Sequence, residues 1–256
     1  MNRVPHSSWA AVYDLAYART FGQVNTELTL ATLEVIQSRI HPGARIVDFG
    51  AGTGRLSIPL ADLDFEVVAV DPSPEMLDQL TQKRRRGANL RTVCSTMQDF
   101  QERNFDFALC VFTVLLYLLD EVALKKAIAA AHDALKIGGS LLIDIPSSAV
   151  FQGYSKRDDF IERTVSVTKE GGNLYRYRED VTVMAPGGDA SRYSDDFMIR
   201  HWSAETVRKL LTANGFVLDA DLSDHFAFTG SLYWIMRKAD PDGPPDGDGA
   251  ARQGRR

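Results

Sequence analysis

The chain has 256 residues, 45% hydrophobic and 25% charged, and its 29 Lys plus Arg against 34 Asp plus Glu give a formal charge of −5. This is ordinary globular usage; it excludes collagen, wholesale disorder and a mucin-like stalk, and offers no positive field for nucleic acid. The length suits one large domain, or one with an insertion, able to bury a core without staples.

The first residues hold no uninterrupted apolar stretch of the kind a secretion signal needs, and the longest apolar run, 107–119, is short of the ~20 residues of a membrane helix. The expectation is a soluble cytoplasmic protein that does not enter membranes. Trp9, Tyr13, Tyr17 and Phe21 recur every four residues, which places them on one face of an N-terminal helix. From residue 45 the pattern alternates strand and helix. Arg45–Phe49 reads as a strand ending at glycines, and Thr53–Leu63 as a helix containing Pro59. Glu66–Val70 is a second strand, and Ser73–Arg85 a second helix with Ser73 as N-cap and Pro74 at its first position. Lys83–Arg86 reads as a solvated helix end that complements the macrodipole. Leu90–Cys94 and Phe105–Val111 follow as strands, Asp120–Leu135 as an amphipathic helix closed by Gly138–Gly139, and Ser140–Ile145 as a fifth strand. Such β–α repetition predicts a parallel sheet with helices on both faces.

After Pro146 the rhythm changes. Phe160–Thr168, Asn173–Met184 and Asp195–Trp202 read as antiparallel strands, joined by turns at Gly171–Gly172 and Pro186–Gly188. Ser203 caps a further helix that ends at Asn214–Gly215. Phe216–Leu222 and His225–Arg237 then form an edge hairpin. The expected organisation is one domain over 1–238, with an antiparallel insertion at about 150–202 and a Gly/Pro/Asp-rich disordered tail at 239–256. Cys94 and Cys110 lie in apolar runs and read as buried small hydrophobes. No histidine has a partner at metal-ligand spacing, so no metal is expected.

Two segments carry chemistry. In Val47–Arg55 (VDFGAGTGR) a strand enters a glycine turn, where backbone can approach a ligand closely. Asp71 ends the second strand 19 residues beyond Gly52, where an acid can accept ribose hydroxyls. A dinucleotide fingerprint would put its third glycine at Arg55. Asp48, two residues ahead of the first glycine, would repel a pyrophosphate but attract an ammonium. This favours a nucleoside bearing an amino acid over NAD.

Residues 45–145 resemble class I S-adenosylmethionine-dependent methyltransferases. VDFGAGTGRLS matches their first motif and VVAVDPSPEML their second. NFDFALCVFTVLLYL is similar to the fourth-strand motif, LKIGGSLLIDI to the strand-five block, and RHWSAETVRKLLTANGF to the segment before strand six of small-molecule members. The resemblance implies an α/β Rossmann-like fold: a seven-stranded, mostly parallel sheet with helices on both faces and an antiparallel insertion after strand five. It implies S-adenosyl-L-methionine as cofactor. Backbone from Gly50 through Ala51 to Gly52 would face the methionine part near Asp48. Asp71 would take the ribose hydroxyls, Pro72 and Met76 flank the adenine, and Met97 present its N–H to the ring. Thr96 stands where many members have Asp. Cys110 and Phe112 would lie by the sulfonium, and Tyr13 would offer it an aromatic face.

The loop after strand four, CVFT, lacks the Asn/Asp-Pro-Pro-aromatic pattern of nucleobase methyltransferases, so the expected acceptor is the amine or hydroxyl of a small molecule. His201 is the candidate general base, with Tyr117 second. The inserted aromatics Tyr175, Tyr177, Tyr193 and Phe197 suit a lid or a homodimer surface. The rival reading is a non-catalytic S-adenosylmethionine-binding or scaffold protein of the same fold.

Overall fold

A computed structural model describes residues 4–184 and 189–243. The expected turn at 186–188 and residues 244–256 of the expected tail lie outside the described residues. The main sheet contains β1 (Arg45–Phe49), β2 (Glu66–Asp71), β3 (Leu90–Cys94), β4 (Phe105–Cys110), β5 (Leu135–Ile145), β10 (Phe216–Asp221) and β11 (Leu232–Lys238). Its order is β10-β11-β5-β4-β1-β2-β3, with β11 antiparallel to both β5 and β10 and the other pairings parallel. This is the seven-stranded Rossmann-like sheet expected from the motifs.

Both faces of the sheet are covered. Val47, Phe49, Val68 and Val70 pack with Leu124, Ile128, Val207 and Leu211 of α4 (Glu121–Ala134) and α5 (Ala204–Ala213). Ile46, Val67 and Ala69, one residue out of phase, pack on the other face with Leu60 of α2 (Ser57–Asp62), Leu80 of α3 (Pro74–Lys83) and Ile36 of α1 (Ala10–Gln37). Strands buried on both faces read as unbroken apolar runs, which is why RIVDF and EVVAV stand out in the sequence. Ser73 accepts the Met76 N–H and Asp120 the Ala123 N–H, each capping its helix.

Several local features differ from expectation. The first helix after the glycine turn starts at Ser57, not Thr53, because Gly52 and Gly54 at φ 54° and 90° hold the chain outside helical geometry. β5 starts at Leu135, directly after α4, and contains Gly138–Gly139 instead of following them. The register jumps there: Phe105 pairs with Leu135 and Phe107 with Ser140, so the glycines sit in a bulge. Cys94 is exposed at the end of the edge strand β3, whereas Cys110 is buried.

Between β5 and α5 lies a separate antiparallel sheet of β6 (Tyr154–Arg157), β7 (Ile161–Gly171), β8 (Leu174–Met184) and β9 (Ala190–Arg200), in that order. The short β6 gave no sequence signal, since three of its four residues are exposed and no apolar alternation marks it. α1 breaks at Gly22 (φ 40°, ψ −109°). Its first half packs Tyr13, Ala16 and Tyr17, with Trp9 just ahead of the helix, on Ile161 and Val181 of the inserted sheet, and its second half joins the main core. No helix among the described residues is long and apolar enough to cross a membrane.

Candidate active site

The carboxyl ends of β1, β2 and β4 open onto the site. Gly50 has φ 73°, and a Cβ there would come within 2.5 Å of Val114 Cγ2, so only glycine lets the turn lie under the loop after β4. Gly52 has φ 54°, and nothing lies within 4 Å of where its Cβ would be; backbone is bare toward the cavity. The Gly52 N–H donates to Asp71 Oδ2 and the Ser73 N–H to Asp71 Oδ1, each at 2.9 Å. Asp71 therefore fixes the glycine turn as well as ending β2. Burial raises its carboxyl above the ordinary value, against the pull of these two N–H groups.

Three cavities meet here. The first, ≈ 390 Å³, runs along the glycine turn and is lined by charged groups: Asp14, Asp48, Arg55 and Lys83. Asp48 accepts from Ser57 Oγ at 2.5 Å, and burial lifts its carboxyl to about 6. Arg55 donates to Thr29 Oγ1 at 2.8 Å and lies 4.3 Å above the Phe112 ring. Lys83, expected at a solvated helix end, instead pairs with Asp14 across the cavity wall.

The third cavity, ≈ 350 Å³, continues from Gly50 and Gly52 past Asp71, Pro72, Met76, Thr96 and Met97. The Thr96 hydroxyl donates to Asp99 at 2.6 Å, which leaves its oxygen lone pairs free to accept. The second, ≈ 330 Å³, lies between the main sheet and the insertion. Its wall includes Leu116, Tyr177, Phe197 and Ile199, with Asp144 and Arg163 among them. Asn25 Oδ1 and Arg163 Nη1 on this wall are buried with no hydrogen-bond partner.

Tyr17 and Phe112 line all three cavities. Tyr17 stacks on Tyr13, with centroids 4.2 Å apart, and the Phe112 centroid lies 6.1 Å from that of Tyr17. Phe112 and Thr113 have φ 68° and 71°, uncommon for residues with a side chain. The Thr113 N–H donates to both Asp144 oxygens, at 3.2 and 3.1 Å, which holds this turn. Burial pushes the Asp144 carboxyl up to about 7. Sequence reasoning missed Asp144: one acid inside an apolar strand gives no spacing signal.

Of the residues picked from sequence, Tyr13, Asp48, Gly50, Ala51 and Gly52 line the first cavity, and Asp71, Pro72, Met76, Thr96 and Met97 the third. Phe112 joins both sets. Two stand apart. Cys110 points into the core between the sheet and α4, its neighbour Val111 reaching the first cavity instead. His201, expected where the insertion meets the strand ends, packs edge-on against Phe151 and lines none of the three cavities. The insertion extends past that point, so its cavity wall comes from mid-strand residues such as Tyr177 and Phe197.

The histidine at the site is His6. It lines the second and third cavities, and its Nε2 lies 2.9 Å from the Tyr117 hydroxyl. The His6 backbone N–H donates to Asp195 Oδ2 at 2.7 Å, and Asp195 also accepts from Trp9 Nε1 at 2.8 Å and Ser8 Oγ at 3.1 Å. One carboxylate of β9 thus ties the N-terminal segment down over the cavities. Arg163 and Glu179, both fully buried, pair at 2.5 Å from Nε to Oε1, and the Arg163 guanidinium lies 4.3 Å over the Tyr17 ring.

The glycine turn, the acid ending β2 and the sheet order together define a class I methyltransferase fold. Residues 46–139 match the family model described as "Methyltransferase domain". Over this stretch the chain is similar to S-adenosylmethionine-dependent methyltransferases of class I fold. A glycine/sarcosine N-methyltransferase from Aphanothece halophytica is 35% identical over 109 residues, 41% of each chain. A cypemycin N-terminal methyltransferase from a Streptomyces species is 32% identical over 151 residues, 50% of this chain and 59% of its own. The chain spans about half the length of the curated relatives it matches. A crystal structure of an S-adenosylmethionine-dependent methyltransferase from Clostridium acetobutylicum superposes with a TM-score of 0.79 at 21% identity, covering 90% of this chain and 99% of its own, a likeness of fold.

Proposed function

We propose that this protein transfers a methyl group from S-adenosylmethionine to the nitrogen of a small-molecule amine, with a hydroxyl as the alternative acceptor. The observation that carries this reading is the shared wall of Tyr17 and Phe112. A ligand filling the first and third cavities would turn its middle toward the second. When bound, S-adenosylmethionine supplies a methyl group activated by its sulfonium.

The residues present fit that ligand. Arg55 and Lys83 would take its carboxylate, Asp48 its ammonium, and Asp71 its ribose hydroxyls. Pro72, Met76 and Met97 would flank the adenine. Backbone at Gly52 is open to a ligand. The aromatic faces of Tyr13, Tyr17 and Phe112 favour a cation by roughly 0.5–2 kcal/mol. The N-terminal segment, held by Asp195, would exclude water, and the inserted sheet would cover the acceptor. Alignment of an amine with a good leaving group supplies much of the catalysis in such a displacement. Nitrogen is preferred as the attacking atom because it carries its own lone pair once neutral. The names of the two relatives described above, an N-methyltransferase and an N-terminal methyltransferase, point the same way.

Isothermal titration of S-adenosylhomocysteine into the full chain tests the cofactor half. Binding that weakens on Asp71→Ala is expected, and absence of binding to folded protein overturns the reading. Labelled-methyl transfer to glycine, sarcosine and amino-sugar probes tests the acceptor half.

A further inference from the structure

Glu179 and Asp195 face each other directly across β8 and β9. Two carboxylates in that register repel unless a cation or donor lies between them. Of these two carboxylates, Arg163 bonds Glu179, at Oε1. The other side of the pair is met by His6, whose Nδ1 lies 3.2 Å from Glu179 Oε2 and 4.0 Å from Asp195 Oδ2. Both atoms are buried and neither has an aligned hydrogen-bond partner, so His6 Nδ1 and Glu179 Oε2 are in close contact with each other but not turned into a hydrogen bond. The opposite ring nitrogen meets the Tyr117 hydroxyl, and both residues line the second and third cavities. The backbone at His6 is left-handed (φ 65°), a conformation a histidine adopts at a cost, and it is held by the bond to Asp195.

We propose that Tyr117, His6 and Glu179 form a proton relay for the methyl acceptor. Tyr117 is the catalytic residue, and Glu179 is a positioning residue that sets the tautomer of His6. The assignment rests on the function proposed above. With Nδ1–H turned to Glu179, Nε2 keeps its lone pair and accepts the Tyr117 hydroxyl. As a proton of the acceptor's ammonium or hydroxyl passes to the Tyr117 oxygen, the Tyr117 hydroxyl proton passes to His6 Nε2. The freed lone pair attacks the methyl carbon of the sulfonium donor, and the carbon–sulfur bonding pair stays on sulfur as a thioether. The proton ends on His6.

The charges favour that outcome. Arg163, Glu179 and Asp195 sum to −1 while His6 is neutral, and to zero with its imidazolium once it holds the proton. The groups that face His6 are Tyr13 from α1, Asp71 from β2, Tyr117 from the loop after β4, Arg163 from β7, Glu179 from β8 and Asp195 from β9. Although the Tyr117 side chain is 38% exposed, desolvation on its cavity side holds the phenol above its ordinary value, so at neutral pH it is a conduit and not a standing phenolate. Long or poorly aligned bonds of this kind in a ligand-free site tighten once substrate is bound.

The test is nitrogen-15 NMR of the full chain with labelled histidine, with and without S-adenosylhomocysteine. The expected state at pH 8 is a neutral His6 with its proton on Nδ1, an Nε2 signal that moves on Tyr117→Phe, and a tautomer ratio that shifts on Glu179→Gln. A proton on Nε2, or an imidazolium throughout pH 6–9, overturns the relay, because neither form can take a proton there. With whichever of glycine, sarcosine or amino-sugar probes is methylated, Tyr117→Phe should lower kcat at least 30-fold while S-adenosylhomocysteine affinity stays within twofold. His6→Gln should remove the acid limb of the pH profile. Wild-type kcat and pH profile in Tyr117→Phe overturn the proposal. If none of these probes is methylated, the tautomer decides. Failure of the wild type to bind S-adenosylhomocysteine sinks the proposed function instead, and is read separately by calorimetry.

Discussion

The glycine turn and the cover over it build opposite walls of the same cavities by different means. The turn uses backbone: positive φ at Gly50 and Gly52, and N–H groups tied to one acid, Asp71. Its contacts span few residues. The cover uses side chains: Arg163 with Glu179, His6 between two carboxylates, Trp9 and Ser8 on Asp195. Its contacts join the N-terminus to strands more than 180 residues away. A wall of backbone is fixed once its strand and helix are in place. A wall of buried charges stands only when every partner has arrived, so the cover should be the more sensitive to single substitutions.

The largest expected effect tests that sensitivity. Arg163→Met leaves Glu179 buried without its cation, and loss of one partner of such a pair costs roughly 3–5 kcal/mol. Denaturant unfolding should show it, and adding Glu179→Gln should recover part of the loss. Equal effects of the single and double variants would mean that the pair does not hold the cover.

The turn has its own electrostatic signature. Asp48 has an ordinary value of 3.8 and one of about 6 in the fold. Between those pH values the native state holds a proton that the unfolded chain has lost. Stability of the ligand-free protein therefore falls as pH rises from about 4 to 6, and the penalty from Asp48 reaches about 3 kcal/mol above that. Asp48→Asn should flatten this part of a stability–pH curve, leaving the contribution of Asp144, whose carboxyl lies at about 7. An unchanged slope would place the ligand-free Asp48 in contact with water.

Asp71→Ala removes both the turn's anchor and the acid assigned to ribose. Calorimetry should show S-adenosylhomocysteine binding about 100-fold weaker, or about 2.7 kcal/mol. The smallest effect belongs to the edge of the cover. Trp9→Phe keeps the ring but loses one hydrogen bond to Asp195, worth roughly 1.5 kcal/mol in thermal unfolding. If Trp9→Phe cost more than Arg163→Met, the N-terminal segment and not the buried pair would be the keystone of the cover.

Much of the first wall was legible in the residues. RIVDF followed by GAGTG announces a strand and a bare turn, and Ser73 with Pro74 announces a helix start, because neighbours along the chain settle each of these. The helix after the turn began four residues late, since Gly52 and Gly54, both at positive φ, extended the loop. Cys110 and His201 were misplaced for a common reason. The direction of a side chain at a strand end depends on the face its strand presents and on how far the insertion reaches, and neither is written locally. His6 had no motif partner because its partners, Tyr117, Glu179 and Asp195, lie 111 to 189 residues away.

The sequence by itself determined the α/β class, the strand–helix alternation and the glycine turn with its acid. These follow from residue periodicity and from backbone conformations that few residue types adopt. Only the tertiary structure decided that a histidine near the N-terminus sits between two facing carboxylates, that Asp144 braces the turn carrying Phe112, and that three cavities share one aromatic wall. Buried charges find their stabilising partners through space, and chain order carries no record of that until the sheets have packed.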